Sequence, residues 1–327
     1  MIYPEFLKEN DLIGITAPSA GVGHKIESFE KSLNSLKENG FKIIETENVR
    51  NDSFVSSTAL ERAKQIDKLV NNNEVKMVLS ATGGDFLIET LPLLNLENIA
   101  KKPKWFMGYS DPTTLLYLIT TKLDIATLYG VNAGSFDQTV LHKSLRNNIE
   151  IIKGNLLEQN SFEFYENEKN DEIDGYDLSE KVYWETLNGN VNINGRIIGG
   201  CLDCLRLLPG TKFDYTKQFI QKYKDDGIIW YFDIYSMSSE EVYCSLFQME
   251  QAGWFENIKG VIVGRVLYKE EFCVTYQEAL KRIFEDIPII FNADIGHVSP
   301  KMTIINGSIV KVESKDGKGK INFELKE

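Results

Sequence analysis

One serine stands where a nucleophile is best exposed, in the stretch Lys104-Trp-Phe-Met-Gly-Tyr-Ser-Asp-Pro-Thr-Thr-Leu-Leu. Trp105, Phe106 and Met107 read as a short buried strand, and Gly108 permits a tight bend. Leu115, Leu116 and Ile119 then continue at helical spacing. Ser110 therefore falls at the apex of a strand–turn–helix. A hydroxyl there is open to attack chemistry, and main-chain N–H groups nearby can hold a developing oxyanion. Asp111 and Pro112 also read as an N-cap and first helical residue, in which case Ser110 and Asp111 only begin a helix.

A serine nucleophile needs a base, and the chain has only three histidines. His297 follows a strand and a glycine in Asp294-Ile-Gly-His. A neutral imidazole there can serve as a general base near neutral pH, or simply hydrogen-bond its own loop. Asp233 ends the strand-like run from Gly227, where a carboxylate can orient that imidazole. His24 follows a flexible loop, and His142 lies in a helical, surface-type stretch.

Other motifs carry weaker chemistry. Ala81-Thr-Gly-Gly-Asp85 places Gly83 and Gly84 between a strand and a helix, a form that offers N–H donors or makes a tight turn. Gly21-Val-Gly23 with Glu45 is an incomplete dinucleotide fingerprint, since Ile26 occupies the third glycine position. Cys201 and Cys204 form a Cys-x-x-Cys pair without a second paired motif for zinc. Burial on a short helix describes them better than metal binding or redox exchange.

These residues need a frame. Strand-like runs at 11–16, 41–44, 75–79, 105–107 and 123–128 alternate with helical ones at 26–39, 57–72 and 86–94. That alternation implies a parallel sheet covered on both faces, with functional groups at its carboxyl edge. The expected fold class is α/β. A Rossmann-like first domain spans 1–156 and carries Ser110. An acidic crossover covers 157–183, with Glu163, Glu166, Glu168, Asp171, Glu172, Asp174 and Asp177. A smaller mixed domain, 184–327, carries Asp233 and His297. Its tail reads as short antiparallel strands turning at Asn306-Gly307 and near Gly317.

A net charge of -12 argues against nucleic acid or an anionic membrane as the main partner. The N-terminus has no signal-peptide pattern, and no apolar run is long enough to span a bilayer. Four cysteines in so long a chain suggest no disulfide framework, so a reducing cytoplasm is the expected setting.

Taken together, Gly14-Ile-Thr-Ala-Pro-Ser, Thr82-Gly-Gly, Gly108-Tyr-Ser-Asp, Gly195-Arg-Ile-Ile-Gly-Gly, Gln251-Ala-Gly-Trp and Asp294-Ile-Gly-His give the chain a family likeness. In order and spacing it resembles the LD-carboxypeptidase family of serine peptidases, which takes in muramoyl-tetrapeptide carboxypeptidases and microcin C self-immunity peptidases. The resemblance implies a Rossmann-like N-terminal domain, a C-terminal domain of more β-barrel character, an active site between them, and homodimers. It implies no metal or cofactor. It assigns Ser110 as nucleophile, His297 as base, and the amides of Gly84 and Asp111 as oxyanion hole. Asp233 takes the place where the family usually has Glu, about 1.5 Å shorter in reach, and Cys244 replaces a common arginine.

The expected substrate is a small peptide with an L-to-D bond, as in a cell-wall muropeptide. Cleavage of a peptidyl or aminoacyl nucleotide is the alternative, with Trp184 stacking on the base and Gly83 lining the site. Trp184 reads equally as a core residue. Two further readings are a muropeptide-binding protein with weak catalysis and a nucleotide-dependent enzyme using the first loop.

Overall fold

Short runs rich in branched and aromatic residues make the central strands of both halves of the chain. The computed structural model describes residues 1–170, 172–187 and 189–326. Asp171 of the acidic run and Glu327 at the end of the expected second domain lie outside the described residues. Two compact units divide the chain, Met1–Leu156 and Leu157–Lys326.

In the first unit, β1 (Leu12–Thr16), β2 (Lys42–Glu45), β3 (Val75–Ser80), β4 (Trp105–Gly108) and β5 (Thr127–Tyr129) run in the order β2-β1-β3-β4-β5. Every one of these pairings is parallel. Ile13, Ile15, Met77, Leu79, Trp105 and Phe106 are buried, as expected of strands covered on both faces. The helices α1 (Ile26–Glu38), α2 (Ala59–Asn71), α3 (Leu96–Lys101), α4 (Thr113–Leu123) and α5 (Lys143–Ile152) connect or follow them. Thr58 caps α2 by accepting the Glu61 N–H. The stretch from Leu87 to Leu93 is a 3₁₀ helix with Pro92 inside it, since proline removes one of the N–H groups an α-helix uses. The order reverses between β1 and β3, so the loops after these strands open the crevice typical of such sheets.

In the second unit, β6 (Glu158–Asn160) is an edge strand and β7 (Phe164–Tyr165) pairs with β8 (Glu180–Lys181). The acidic crossover is therefore more than a linker. Its start pairs with the tail, and the buried Gln159 amide donates to the Thr303 carbonyl at 2.7 Å. The remaining strands are β9 (Glu185–Thr186), β10 (Val191–Cys201), β11 (Ile228–Asp233), β12 (Ile258–Gly264), β13 (Ile289–Ala293), β14 (Ile304–Asn306), β15 (Ile309–Lys315) and β16 (Lys318–Glu324). β6 and seven of these strands, all but β14, form a mixed sheet in the order β6-β16-β15-β10-β11-β12-β13-β9. Its centre, β10 to β13, is parallel. The β15–β16 hairpin turns at Asp316 and Gly317, both at positive φ as a tight hairpin turn requires. Helices α6 (Leu202–Leu205), α7 (Thr216–Lys222), α8 (Ser239–Gln251) and α9 (Tyr276–Phe284) complete the unit. Capping boxes, Ser238 with Glu241 and Thr275 with Glu278, start α8 and α9.

Candidate active site

Ser110 adopts φ 68°, a left-handed conformation that a serine seldom takes. The local sequence forces it there. A side chain on Gly108 would run into Pro112, Ser80 and Asn132 at 2.9–3.0 Å, so the backbone passes very close to its neighbours before the turn. Asn132 Oδ1 accepts the Tyr109 N–H at 3.2 Å and holds the entry to the turn. Helix α4 then begins at Thr113, whose N–H donates to the Ser110 carbonyl at 2.9 Å.

Gly83 lies directly against this serine. A Cβ on Gly83 would sit 3.0 Å from Ser110 Cβ and 3.1 Å from its Oγ. Gly84, at φ 146°, packs on Ser19 and on the Ala20 amide. The Ala20 N–H donates to the Gly83 carbonyl at 3.1 Å, which ties the loop after β1 to the loop after β3. Beneath them the buried Arg62 donates to the carbonyls of Pro18 and Phe86 at 2.9 and 3.0 Å and pairs with Glu89.

Asp111 does not cap α4 with its side chain. Its buried carboxylate instead accepts the Ser19 hydroxyl and the Leu87 N–H, the latter at 2.8 Å. Burial pushes the carboxyl above the usual range, against the pull of these two donors. The Asp111 side chain thus clamps the turn after Ser110 to both neighbouring loops, where a cap would have served only its own helix.

The first-loop glycines have a packing explanation. A Cβ on Gly21 would strike the Asn51 carbonyl, and one on Gly23 would strike the Asp52 backbone. These glycines admit a neighbouring loop, and this replaces the nucleotide-loop reading.

In the second unit, Asp233 ends β11, is 0% exposed, and meets His297 twice. Its Oδ1 accepts the His297 main-chain N–H at 3.1 Å, and Oδ2 lies 2.7 Å from Nδ1. The second contact has the separation of a charge-assisted pair, though Nδ1 is not aligned there as a hydrogen-bond donor. Gly296, at φ 98°, makes the approach possible, because a Cβ there would overlap the Asp233 carboxylate. The Tyr235 ring lies 4.6 Å from the imidazole, and the buried Lys301 ammonium donates to the His297 carbonyl at 3.3 Å. Glu240 and Glu241 are occupied elsewhere. Glu240 accepts the Cys273 N–H at 2.5 Å, and Glu241 belongs to the α8 capping box.

Trp184 is 1% exposed, and its Nε1 donates to Asp294 Oδ2 at 2.9 Å. Asp294 also pairs with Arg265 at 2.6 Å. With its ring enclosed, Trp184 has no open face for a nucleobase. Its enclosure fits the core reading. His142 caps α5 by accepting the Ser144 N–H, and Cys201 is buried while Cys204 is partly so.

A parallel doubly wound unit with a serine on a left-handed turn, and a second unit with a buried carboxylate–imidazole pair, carry the side chains of serine-type acyl-transfer chemistry. The chain belongs to the LD-carboxypeptidase family. The model of the family's N-terminal domain matches residues 13–130 and that of its C-terminal domain matches residues 194–312. A Bacillus subtilis protein that carries a carboxypeptidase name is 26% identical over 332 residues, covering 98% of each chain. The Escherichia coli microcin C7 self-immunity protein MccF is 25% identical over 328 residues, covering 91% of this chain and 89% of its own. Among solved structures, an MccF-like protein from Bacillus anthracis aligns over 100% of both chains with TM-score 0.84 at 24% identity. A muramoyltetrapeptide carboxypeptidase from Oxalobacter formigenes aligns over 97% of this chain and 100% of its own, with TM-score 0.76 at 20% identity.

Proposed function

We propose that this chain is a serine carboxypeptidase that hydrolyses the amide bond between an L-centre and a D-amino acid in small muropeptides within the cytoplasm. The observation that carries the reading is the Asp233–His297 pair, a carboxylate excluded from solvent and held against an imidazole. Such a carboxylate fixes the ring's tautomer and stabilises its cation during proton transfer.

In this reading His297 Nε2 takes the Ser110 hydroxyl proton as Oγ attacks the scissile carbonyl. The Gly84 and Asp111 amides receive the oxyanion, and a donor placed there is worth roughly 3–4 kcal/mol of barrier. Collapse breaks the C–N bond, and the imidazolium gives its proton to the departing D-amino acid. Water then attacks the acyl-enzyme with His297 again as base, freeing Ser110 and the shortened peptide.

A second reading, cleavage of a peptidyl or aminoacyl nucleotide, is supported by the likeness to MccF. The enclosure of Trp184 supports the first reading over this one. Offering the purified protein a muramoyl tetrapeptide and an aminoacyl sulfamoyl-adenylate separates the two. Release of the terminal D-amino acid supports the first. Turnover confined to the adenylate moves the assignment to the second. Muropeptide binding without turnover of either compound makes the chain a binding protein.

A further inference from the structure

Cys201 ends β10 directly opposite Asp233, which ends β11, in parallel register. Residues paired this way share a sheet face, with strands about 4.8 Å apart. His297 reaches the same spot from beyond β13 through the Gly296 turn. The Cys201 Sγ, a carboxylate oxygen of Asp233 and a ring nitrogen of His297 consequently all lie within 4.8 Å of one another. Cys201 and Asp233 are buried, whereas the His297 side chain keeps 9% of its surface open.

We propose that these three side chains form a binding site for a zinc-type divalent cation, and that its occupancy silences His297 as a base. One thiolate, one imidazole and one carboxylate form a donor set suited to such an ion, with solvent supplying the fourth ligand on the histidine side. Around a tetrahedral zinc the ligand atoms stand about 3.3–3.6 Å apart. The Asp233–His297 contact at 2.7 Å opens by less than about 1 Å, and Cys201, within 4.8 Å of both, closes by no more than about 1.5 Å, movements within reach of small side-chain rotations. The Cys201 thiol gives its proton to solvent on binding, and the thiolate and carboxylate together balance the charge of the ion. Nδ1 is the nitrogen that faces Asp233. A metal on Nδ1 leaves the ring's remaining proton on Nε2, which then cannot accept one from a hydroxyl. That last consequence rests on the role proposed for His297, whereas the site itself does not.

Cobalt(II) reports the site without any substrate. Full-length protein stripped of metal by chelation and titrated with cobalt should develop a thiolate-to-metal charge-transfer band that saturates at one ion per chain. The band should vanish in Cys201→Ala, weaken strongly in His297→Gln and persist in Cys204→Ser. His297→Gln alters a partly open side chain, so it decides the matter if Cys201→Ala fails to fold. Absence of a band at saturating cobalt overturns the site, as does a band that survives both Cys201→Ala and His297→Gln. Where the metal-free enzyme turns over substrate, stoichiometric zinc should abolish turnover in wild type but not in Cys201→Ala, and chelator should restore it. Full activity with the site filled overturns the silencing of His297. A metal-free wild type inactive on every substrate is a failure of the proposed function, and the cobalt band alone then decides the site.

Discussion

Asp233 holds His297 at two points, accepting its main-chain N–H at 3.1 Å and facing its Nδ1 at 2.7 Å. The carboxylate thereby holds the backbone of the loop and stands against the histidine ring at its Nδ1. Asp233→Asn keeps the shape but loses the charge, and should lower kcat/KM by on the order of 10²–10⁴-fold. Gly296→Ala should disturb the same pair sterically and destabilise the fold by about 1–3 kcal/mol, since φ 98° disfavours a side chain and the new Cβ meets the carboxylate. Steady-state kinetics and denaturant unfolding of the two variants check this. Wild-type activity in Asp233→Asn would remove the carboxylate from the mechanism.

Both glycines of the loop after β3 should matter for rate. In Gly83→Ala the new methyl lies 3.0–3.1 Å from the serine side chain, a crowding relieved by shifts of a few tenths of an ångström. A loss of on the order of 10-fold in kcat is expected, given the sensitivity of attack geometry to such shifts. Gly84→Ala adds backbone strain at φ 146° and contact with Ser19, so its loss should be larger, on the order of 100-fold. Equal rates in wild type and both variants would contradict the placement of these loops in the reaction.

Trp184 should act as a core residue. Trp184→Phe deletes the Nε1–H donated to Asp294 at 2.9 Å and should cost about 1–2 kcal/mol in stability while leaving KM unchanged for either candidate substrate. A raised KM for the aminoacyl nucleotide with unchanged stability would reverse that assignment.

Lys301 sets a pH dependence. Burial lowers its ammonium to about 8 from a usual 10.5, with Arg265 adding to the effect and Asp233 and Glu166 opposing it. Between those two values the unfolded chain binds more protons at this position than the folded one, so stability from this group rises with pH. Urea unfolding across that window should show a rise in wild type that Lys301→Met flattens. An identical slope in both proteins would place the titration elsewhere.

What the sequence made legible was local. The strand, glycine bend and helix around Ser110 lie within a few residues of one another, so periodicity and turn chemistry reveal them. The β15–β16 hairpin was readable for the same reason. Asp111 read as a cap because its real donor, Ser19, is 92 residues away. Trp184 was open to two readings because its partner Asp294 lies 110 residues on. The grouping of Cys201 with Asp233 depends on the register of two parallel strands joined by a long crossover, which no spacing rule encodes. The Cys201–Cys204 spacing offered no more than two neighbouring thiols, whereas the fold brings Asp233 and His297 within 4.8 Å of Cys201. Arg62 and Lys301 were missed because buried cations leave no periodic mark in the sequence.

Hydrolysis by wild type and Ser110→Ala, measured side by side on the substrate the wild type turns over, tests the central claim most directly. The account predicts a fall in kcat of at least about 10⁴-fold in the variant, with substrate binding retained. Turnover by Ser110→Ala at a rate near that of wild type would contradict it.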